Sequence, residues 1–203
     1  MISTIYTTQP EDAANAIARY ALLPEELIGL PQWANYALVL NETGERYKKR
    51  PFQPNADYAL SNDPATWSPY AECLDVAEAF DGLGFMIAPP YSGLDIDHCR
   101  DKETGKITET AWKIIKEFDS YTEVSPSGTG IRGICKGKLP PGRRQFEGLE
   151  MYDSGRFLTM TGNHLEGTPL TVEERTGEIA SIHKVYFPVD RERPLSIDRK
   201  SVV

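Results

Sequence analysis

Most of the chain between Trp33 and Gly162 consists of short apolar or alternating runs closed by glycine or proline, which is how strands and tight turns are written. WANYALVL and RYKKRPF flank Glu42, Thr43 and Gly44, a hairpin signal. GLGFMIAP and SGLDIDHC flank a Pro-Pro-Tyr-Ser turn, YTEV and IRGICKG flank SPSGTG, and EGLEMYD and GRFLTMTG form another expected hairpin around Ser154-Gly155. Helical spacing is confined to a few stretches. Thr8, Gln9, Pro10 and Glu11 open a helix through AANAIARYAL, and LPEELIGL is a short helix or turn. SNDPATWSPYAECLDVAEAF reads as one amphipathic helix with Asp63 as N-cap and Pro64 at the first helical position. ITETAWKIIKEF at 107–118 and TVEERTGEIASIHKVYF complete the helices. Antiparallel hairpins with interspersed helices define an α+β fold.

Within one of these strands, GLDIDHCRD places Asp95 and Asp97 in an otherwise apolar run. Alternate side chains of a strand leave the same face, so both carboxylates are expected on one side and Ile96 in the core on the other. Like charges held side by side repel unless a cation lies between them or one takes up a proton. The pair therefore asks for a metal. Glu150, in LEMYD on a later strand, supplies a third carboxylate for a two-metal site in which hard cations take oxygen ligands; Asp153 reads as a turn residue before Ser154-Gly155.

Between these acids lies SPSGTGIRGICKGK. Gly128, Gly130 and Gly133 satisfy G-x-G-x-x-G, but a dinucleotide fingerprint must open a helix and IRGICKG reads as strand. No GK[ST] follows, so it is not a Walker loop. A tight glycine turn remains, whose backbone N–H groups together with the Ser125 and Ser127 hydroxyls can hold phosphate oxygens. Arg132 and Lys136 share a face of the following strand. Arg156 can grip a triphosphate through its forked guanidinium. Of the three histidines, His98 is the one beside the aspartates, and it reads as structural.

The net charge of −8 is unusual for a nucleic-acid protein, yet the basic residues are concentrated. RYKKR at 46–50 contains Lys49 and Arg50, and an acid-free segment carries Arg132, Lys136, Lys138, Arg143 and Arg144. No run approaches the ~20 apolar residues of a membrane span, and no basic region precedes an apolar block as in a secretory signal. Cys73, Cys99 and Cys135 contain no C-x-x-C pair, which points to a reducing cytoplasm and away from a disulfide framework or a zinc site.

In order and spacing these motifs resemble the primase-polymerases of the archaeo-eukaryotic primase superfamily, especially the phage and plasmid type. The corresponding segments are LDIDHC, SPSGTGIR and LEMYDSGRFLTMTG, flanked by LPQWANY, KKRPFQP, NDPATW and FDGLGFMI, across roughly residues 22 to 170. The resemblance implies an RRM-like antiparallel catalytic sheet with flanking helices, joined to an N-terminal α/β unit. It implies template-directed nucleotidyl transfer on single-stranded DNA, as a polymerase and a primase, with dNTPs or NTPs and two Mg²⁺ or Mn²⁺ ions.

By the same resemblance Asp95, Asp97 and Glu150 match the metal-binding acids. Ser125, Ser127 and Gly128, with Gly130, match the nucleotide-binding turn, and Arg156 a basic residue of the third motif. Lys49 is a weaker match as a phosphate or template contact. Phe157, beside Arg156, is expected to act as an aromatic wall at the sugar. Lys49, Arg50, Lys136, Lys138, Arg143 and Arg144 would follow the template backbone. One departure stands out: the second motif commonly ends in histidine, and here Arg132, expected with Arg156 to seat the incoming triphosphate, keeps a permanent charge for it but cannot transfer protons near neutral pH.

Residues 1–190 are expected to form the catalytic domain and 191–203 a polar tail or a linker to a further region, in a cytoplasmic replication protein of a phage or other mobile element whose companion is a helicase. Two other readings fit parts of the sequence. A non-catalytic RRM-like module would bind single strands without needing three acids, and a D-x-D nucleotide-sugar transferase leaves SPSGTGIR and the basic runs unexplained.

Overall fold

The computed structural model describes residue 15, residues 17–41 and residues 43–187. The expected start of the first helix, at Thr8 to Glu11, and the boundary between residues 190 and 191 lie outside them; residues 17–20 are helical. The elements that follow are α1 (Glu25–Ile28), β1 (Trp33–Leu40), β2 (Tyr47–Phe52), α2 (Tyr70–Asp75), β3 (Gly82–Ile87), β4 (Tyr91–Ile96), α3 (Glu109–Phe118), β5 (Thr122–Val124), β6 (Ile131–Lys136), β7 (Gln145–Phe146), β8 (Leu149–Tyr152), β9 (Arg156–Met160) and α4 (Thr176–Tyr186).

The strands form two antiparallel sheets, one of order β2-β1-β3-β9 and one of order β5-β6-β4-β8-β7. The fold is α+β, as the run pattern predicts. On the five-stranded sheet, Leu94, Ile96, Ile131, Cys135, Leu149 and Met151 face the two long helices. Helix α3 buries Ala111, Ile114, Ile115 and Phe118 against them, the spacing of one helical face. Thr108 caps its start by accepting from the Ala111 N–H (3.4 Å), and Asp119 ends it in the left-handed region at φ 41°. The other face of this sheet carries Tyr91 and Ile134 into a second core with Trp33, Phe85, Ile87 and Leu158 of the four-stranded sheet. The three cysteines are buried free thiols.

Three expectations are corrected. EGLEMYD and GRFLTMTG do not pair: the turn at Ser154-Gly155 exists, with Gly155 at φ 67°, but β8 joins β4 while β9 joins β3 in the other sheet. The chain crosses between sheets there, as it does between β3 and β4 at the cis Pro89–Pro90 peptide. A turn signal specifies a change of direction; it does not specify which edge the next strand meets.

The long helix from Asp63 to Phe80 is broken. Asp63 caps only a three-residue 3₁₀ turn, Pro64–Thr66, accepting from the Ala65 N–H at 3.1 Å. Ser68 then pairs with Trp33 as strand-like backbone, with N···O distances of 2.9 and 3.0 Å in the two directions. Pro69 is the reason, since proline drives the preceding residue out of the helical region. Finally, α4 starts only at Thr176, because the Lys136 N–H bonds the Glu173 carbonyl and the Arg175 N–H bonds the Lys136 carbonyl, holding 173–175 extended beside β6.

Candidate active site

The register of the five-stranded sheet lines up five polar residues across five strands. Glu123 lies opposite Arg132, Arg132 opposite Asp95, Asp95 opposite Glu150, and Glu150 opposite Gln145. Directly opposed residues leave the same face with Cβ atoms about 5 Å apart. The sheet face turned away from α3 and α4 therefore carries a row whose charges run minus, plus, minus, minus.

Arg132 is only 8% exposed and joins the two sheets. Its Nε donates to Asp95 Oδ2 at 3.1 Å, Nη2 lies in ion-pair contact with the same oxygen at 3.1 Å, and Nη1 donates to the Thr159 carbonyl on β9 at 3.2 Å. All of this engages one carboxylate oxygen. Asp95 Oδ1 is buried and has no hydrogen-bond partner. Burial pushes the Asp95 pKa up, Arg132 opposes it, and Asp97 and Glu150 push in the same direction as burial. A cation at Oδ1 would relieve both the desolvation and the repulsion.

Asp97 stands just past the end of β4, in a turn, with its N–H on the Gly148 carbonyl at 2.8 Å, and it is exposed. The alternation that would carry it onto the same strand face as Asp95 stops one residue short. Glu150 accepts from the Tyr152 hydroxyl at 2.9 Å, and that hydroxyl accepts from Arg156 Nη2 at 3.0 Å, the guanidinium lying 4.5 Å from the Tyr152 ring centroid. Arg156 thus reaches Glu150 through Tyr152.

Lys49, from the edge strand β2 of the other sheet, faces the same charges. Burial and then Arg132 lower its pKa to about 8, while Asp95 and Asp97 oppose the shift. Its Nζ lies 5.9 Å from the Tyr36 ring centroid. Beside it, Arg50, Tyr58, Leu60, Arg156 and Phe157 line a pocket of about 420 Å³, with Phe157 packed among Ala34, Ala59 and Met86. A larger pocket, about 520 Å³, lies on the helix side of the sheet between Ile96, Ala111, Phe146 and Tyr186.

The SPSGTG turn closes as a compact loop, the Ser125 N–H on the Gly130 carbonyl and the Gly128 N–H on the Ser125 carbonyl, both 2.9 Å. Ser125, Ser127 and Thr129 share a chain of hydroxyl contacts at 3.0 and 2.9 Å. Gly128 sits at φ 77°, which favours glycine, with Lys102 folded over it and Arg100 Nη1 on its carbonyl at 2.7 Å. In the second basic cluster Lys136 pairs with Glu26 at 3.1 Å and Arg144 with Asp153 at 3.6 Å, and Lys138 is exposed on the connection to β7, which also carries Arg143.

Two residues were missed by sequence reading. Tyr152 carries no signal of its own. Glu123 does: counting back from Arg132 through the SPSGTG turn places it opposite, and an acid inside the short strand YTEV is unusual. It is 1% exposed, and burial raises its pKa to about 7 against the hydrogen bonds it accepts.

The acids supply only oxygen, with one buried oxygen unsatisfied, and that donor set suits Mg²⁺ or Mn²⁺. Among the described residues no three His, Cys, Asp or Glu side chains are gathered into a ready ligand set. Asp95 and Glu150 are cross-strand neighbours instead, with Asp97 at the strand end.

No protein-family model matches the chain. In an alignment that covers 88% of the chain, it is 32% identical to a protein named DNA Primase-polymerase from Nitratiruptor phage NrS-1. The chain spans 27% of that relative's length. By sequence it is a relative of a phage-type primase-polymerase, as the order of its motifs implied. No helix among the described residues is long and apolar enough to cross a membrane.

Proposed function

We propose that the chain is a nucleotidyltransferase that extends, and starts, strands on a single-stranded DNA template. The observation that carries this reading is the buried, unpartnered Asp95 Oδ1 in a row with Glu150 and beside Asp97, in a chain related to a primase-polymerase. Asp95 and Asp97, with Glu150, would hold the divalent ions. When bound, such ions supply charge neutralisation at the phosphates and help deprotonate the attacking hydroxyl.

The remaining work falls to positioning. Tyr152 and Arg156 orient Glu150. Gly128 and Gly130 shape the turn whose Ser127 and Thr129 hydroxyls would face phosphate oxygens, the Ser125, Gly128, Thr129 and Gly130 N–H groups being engaged within the turn, with Lys49 adding positive charge from the opposite sheet. Phe157, in the wall beside Arg156, would contact the sugar. Arg132 would act chiefly on Asp95, because its guanidinium is already engaged there and at Thr159. No proton transfer is assigned to it, since a guanidinium serves as a fixed charge and not as a proton-transfer group.

The test is extension of a labelled primer on a single-stranded template with dNTPs and Mg²⁺ or Mn²⁺, beside Asp95→Ala/Asp97→Ala. Metal-dependent extension that vanishes in the double variant, while its circular dichroism stays that of the folded wild type, is the expected result. Equal activity in the double variant refutes the assignment of the acids. Binding of single strands with no extension under either metal would leave only a binding module. A lane without primer asks about initiation.

A further inference from the structure

Glu123 takes no part in the chemistry above, yet it is the most deeply buried charge-bearing residue of the row. A carboxylate at 1% exposure is costly unless something requires it. Its local bonds do not require a charge. Oε1 accepts from the Thr161 N–H at 2.7 Å, and Oε2 accepts from the Gly162 N–H and the Tyr121 hydroxyl, both at 3.0 Å. All three donors are neutral. The cation facing Glu123 is Arg132, opposite it on β6 without an ion pair between the two, and Arg132 contacts Asp95 on its other side.

We propose that Glu123 is a positioning residue that shares Arg132 with Asp95 and thereby keeps Asp95 available to a divalent cation. The proposal rests on reading Asp95 as a metal-binding acid. A guanidinium drawn toward carboxylates on both sides is held less firmly by either than one with a single partner. Any cation approaching Asp95 must compete with the guanidinium already on Oδ2, so a counter-pull from Glu123 weakens the competitor. Without that pull, Arg132 is an internal cation that belongs to Asp95 alone. The neutral anchoring from Thr161, Gly162 and Tyr121 keeps the Glu123 carboxylate at fixed distance, which such balancing needs.

The experiment measures Mn²⁺ affinity of the full chain by electron paramagnetic resonance at pH 8, without nucleotide or DNA. Wild type is compared with Glu123→Gln, Arg132→Gln and the double variant. Glu123→Gln should weaken binding about tenfold, the size of a typical coupling between neighbouring groups. Arg132→Gln should tighten it. Glu123→Gln should then have no effect in the Arg132→Gln background. An equal loss in both backgrounds, or no loss in either, overturns the proposal.

Tyr121→Phe removes one neutral hydrogen bond and leaves the carboxylate in place, so Mn²⁺ affinity should fall by less than in Glu123→Gln even where the melting temperature falls. A loss equal to that of Glu123→Gln would make packing, and not charge, the cause and would overturn the proposal. Should Glu123→Gln not fold, Arg132→Gln decides alone, since unchanged or weaker Mn²⁺ binding contradicts the competition. An Asp95→Asn arm separates the two levels. Mn²⁺ binding untouched by Asp95→Asn defeats the metal reading and the proposal with it. Binding lost in Asp95→Asn but insensitive to Glu123→Gln defeats the proposal only.

Discussion

Asp95, Arg132, Glu123 and Lys49 form one electrostatic neighbourhood, and the titration of Lys49 and of Glu123 yields two predictions. The Lys49 ammonium is disfavoured by burial and by Arg132, which lowers its pKa to about 8. It is charged below that pH and neutral above it. If it contacts phosphate, the apparent KM for dNTP should rise as pH climbs through about 8, and Lys49→Met should flatten that rise while raising KM at lower pH; steady-state extension kinetics from pH 6.5 to 9 provide the check. Glu123 behaves oppositely, its pKa raised by burial from 4.5 to about 7. Between those values the folded chain keeps a proton that the unfolded chain has lost. Stability is therefore highest below pH 4.5 with respect to this group and falls as pH rises through 7, by about 3 kcal/mol. Urea unfolding across that window should show the slope in wild type and its loss in Glu123→Gln.

At the scale of elements, close approach between helix and sheet is what holds the row in place. Gly133, on β6 beside Arg132, lies under the ring of Phe118, and a Cβ there would sit 2.5 Å from Phe118 Cε1. Helix α3 thus packs directly on the backbone of the strand that presents Arg132. Gly133→Ala should destabilise the protein by about 1–3 kcal/mol, as overpacking does, and Phe118→Leu in the same background should recover part of it; chemical unfolding of the single and double variants measures both. The sheet edges matter as well. Edge strand β9 leaves the Thr159 carbonyl available to Arg132, so the hydrogen bond that joins the sheets uses a group no further strand claims.

For the whole molecule, a chain with a net charge of −8 binds a polyanion only through local positive surface. Lys49 and Arg50 share β2 with exposed Tyr47, and Tyr58 is 59% exposed while stacked on Phe52 with ring centroids 5.0 Å apart. Basic groups interleaved with aromatic faces suit a single strand. Lys136 and Arg144, by contrast, are already paired with Glu26 and Asp153. In a salt titration of single-stranded DNA binding, Lys49→Met/Arg50→Met should reduce the slope of log K against log salt by about one. Lys136→Met/Arg144→Met should change it less. A larger effect from the second pair would move the template path to the far end of the five-stranded sheet.

Local chemistry in the sequence determined the periods of α3 and the strands, the turns at Gly44, Gly128 and Gly155, and the run of acids and glycines on which the resemblance was read. These depend on neighbours a few residues away, so they can be read directly. It also placed Asp95, Arg132 and Glu150 on strands. It did not determine which strands meet. EGLEMYD and GRFLTMTG look like a hairpin because the turn is local, whereas β8 and β9 choose partners by burial against different helices and cores. Tertiary structure alone decided that Glu123, Arg132, Asp95 and Glu150 form a row, that Asp97 stands past the strand end, and that Lys49 reaches them from another sheet. The physical reason is that charge interactions depend on distance through space, and only the pairing of strands far apart in sequence sets that distance.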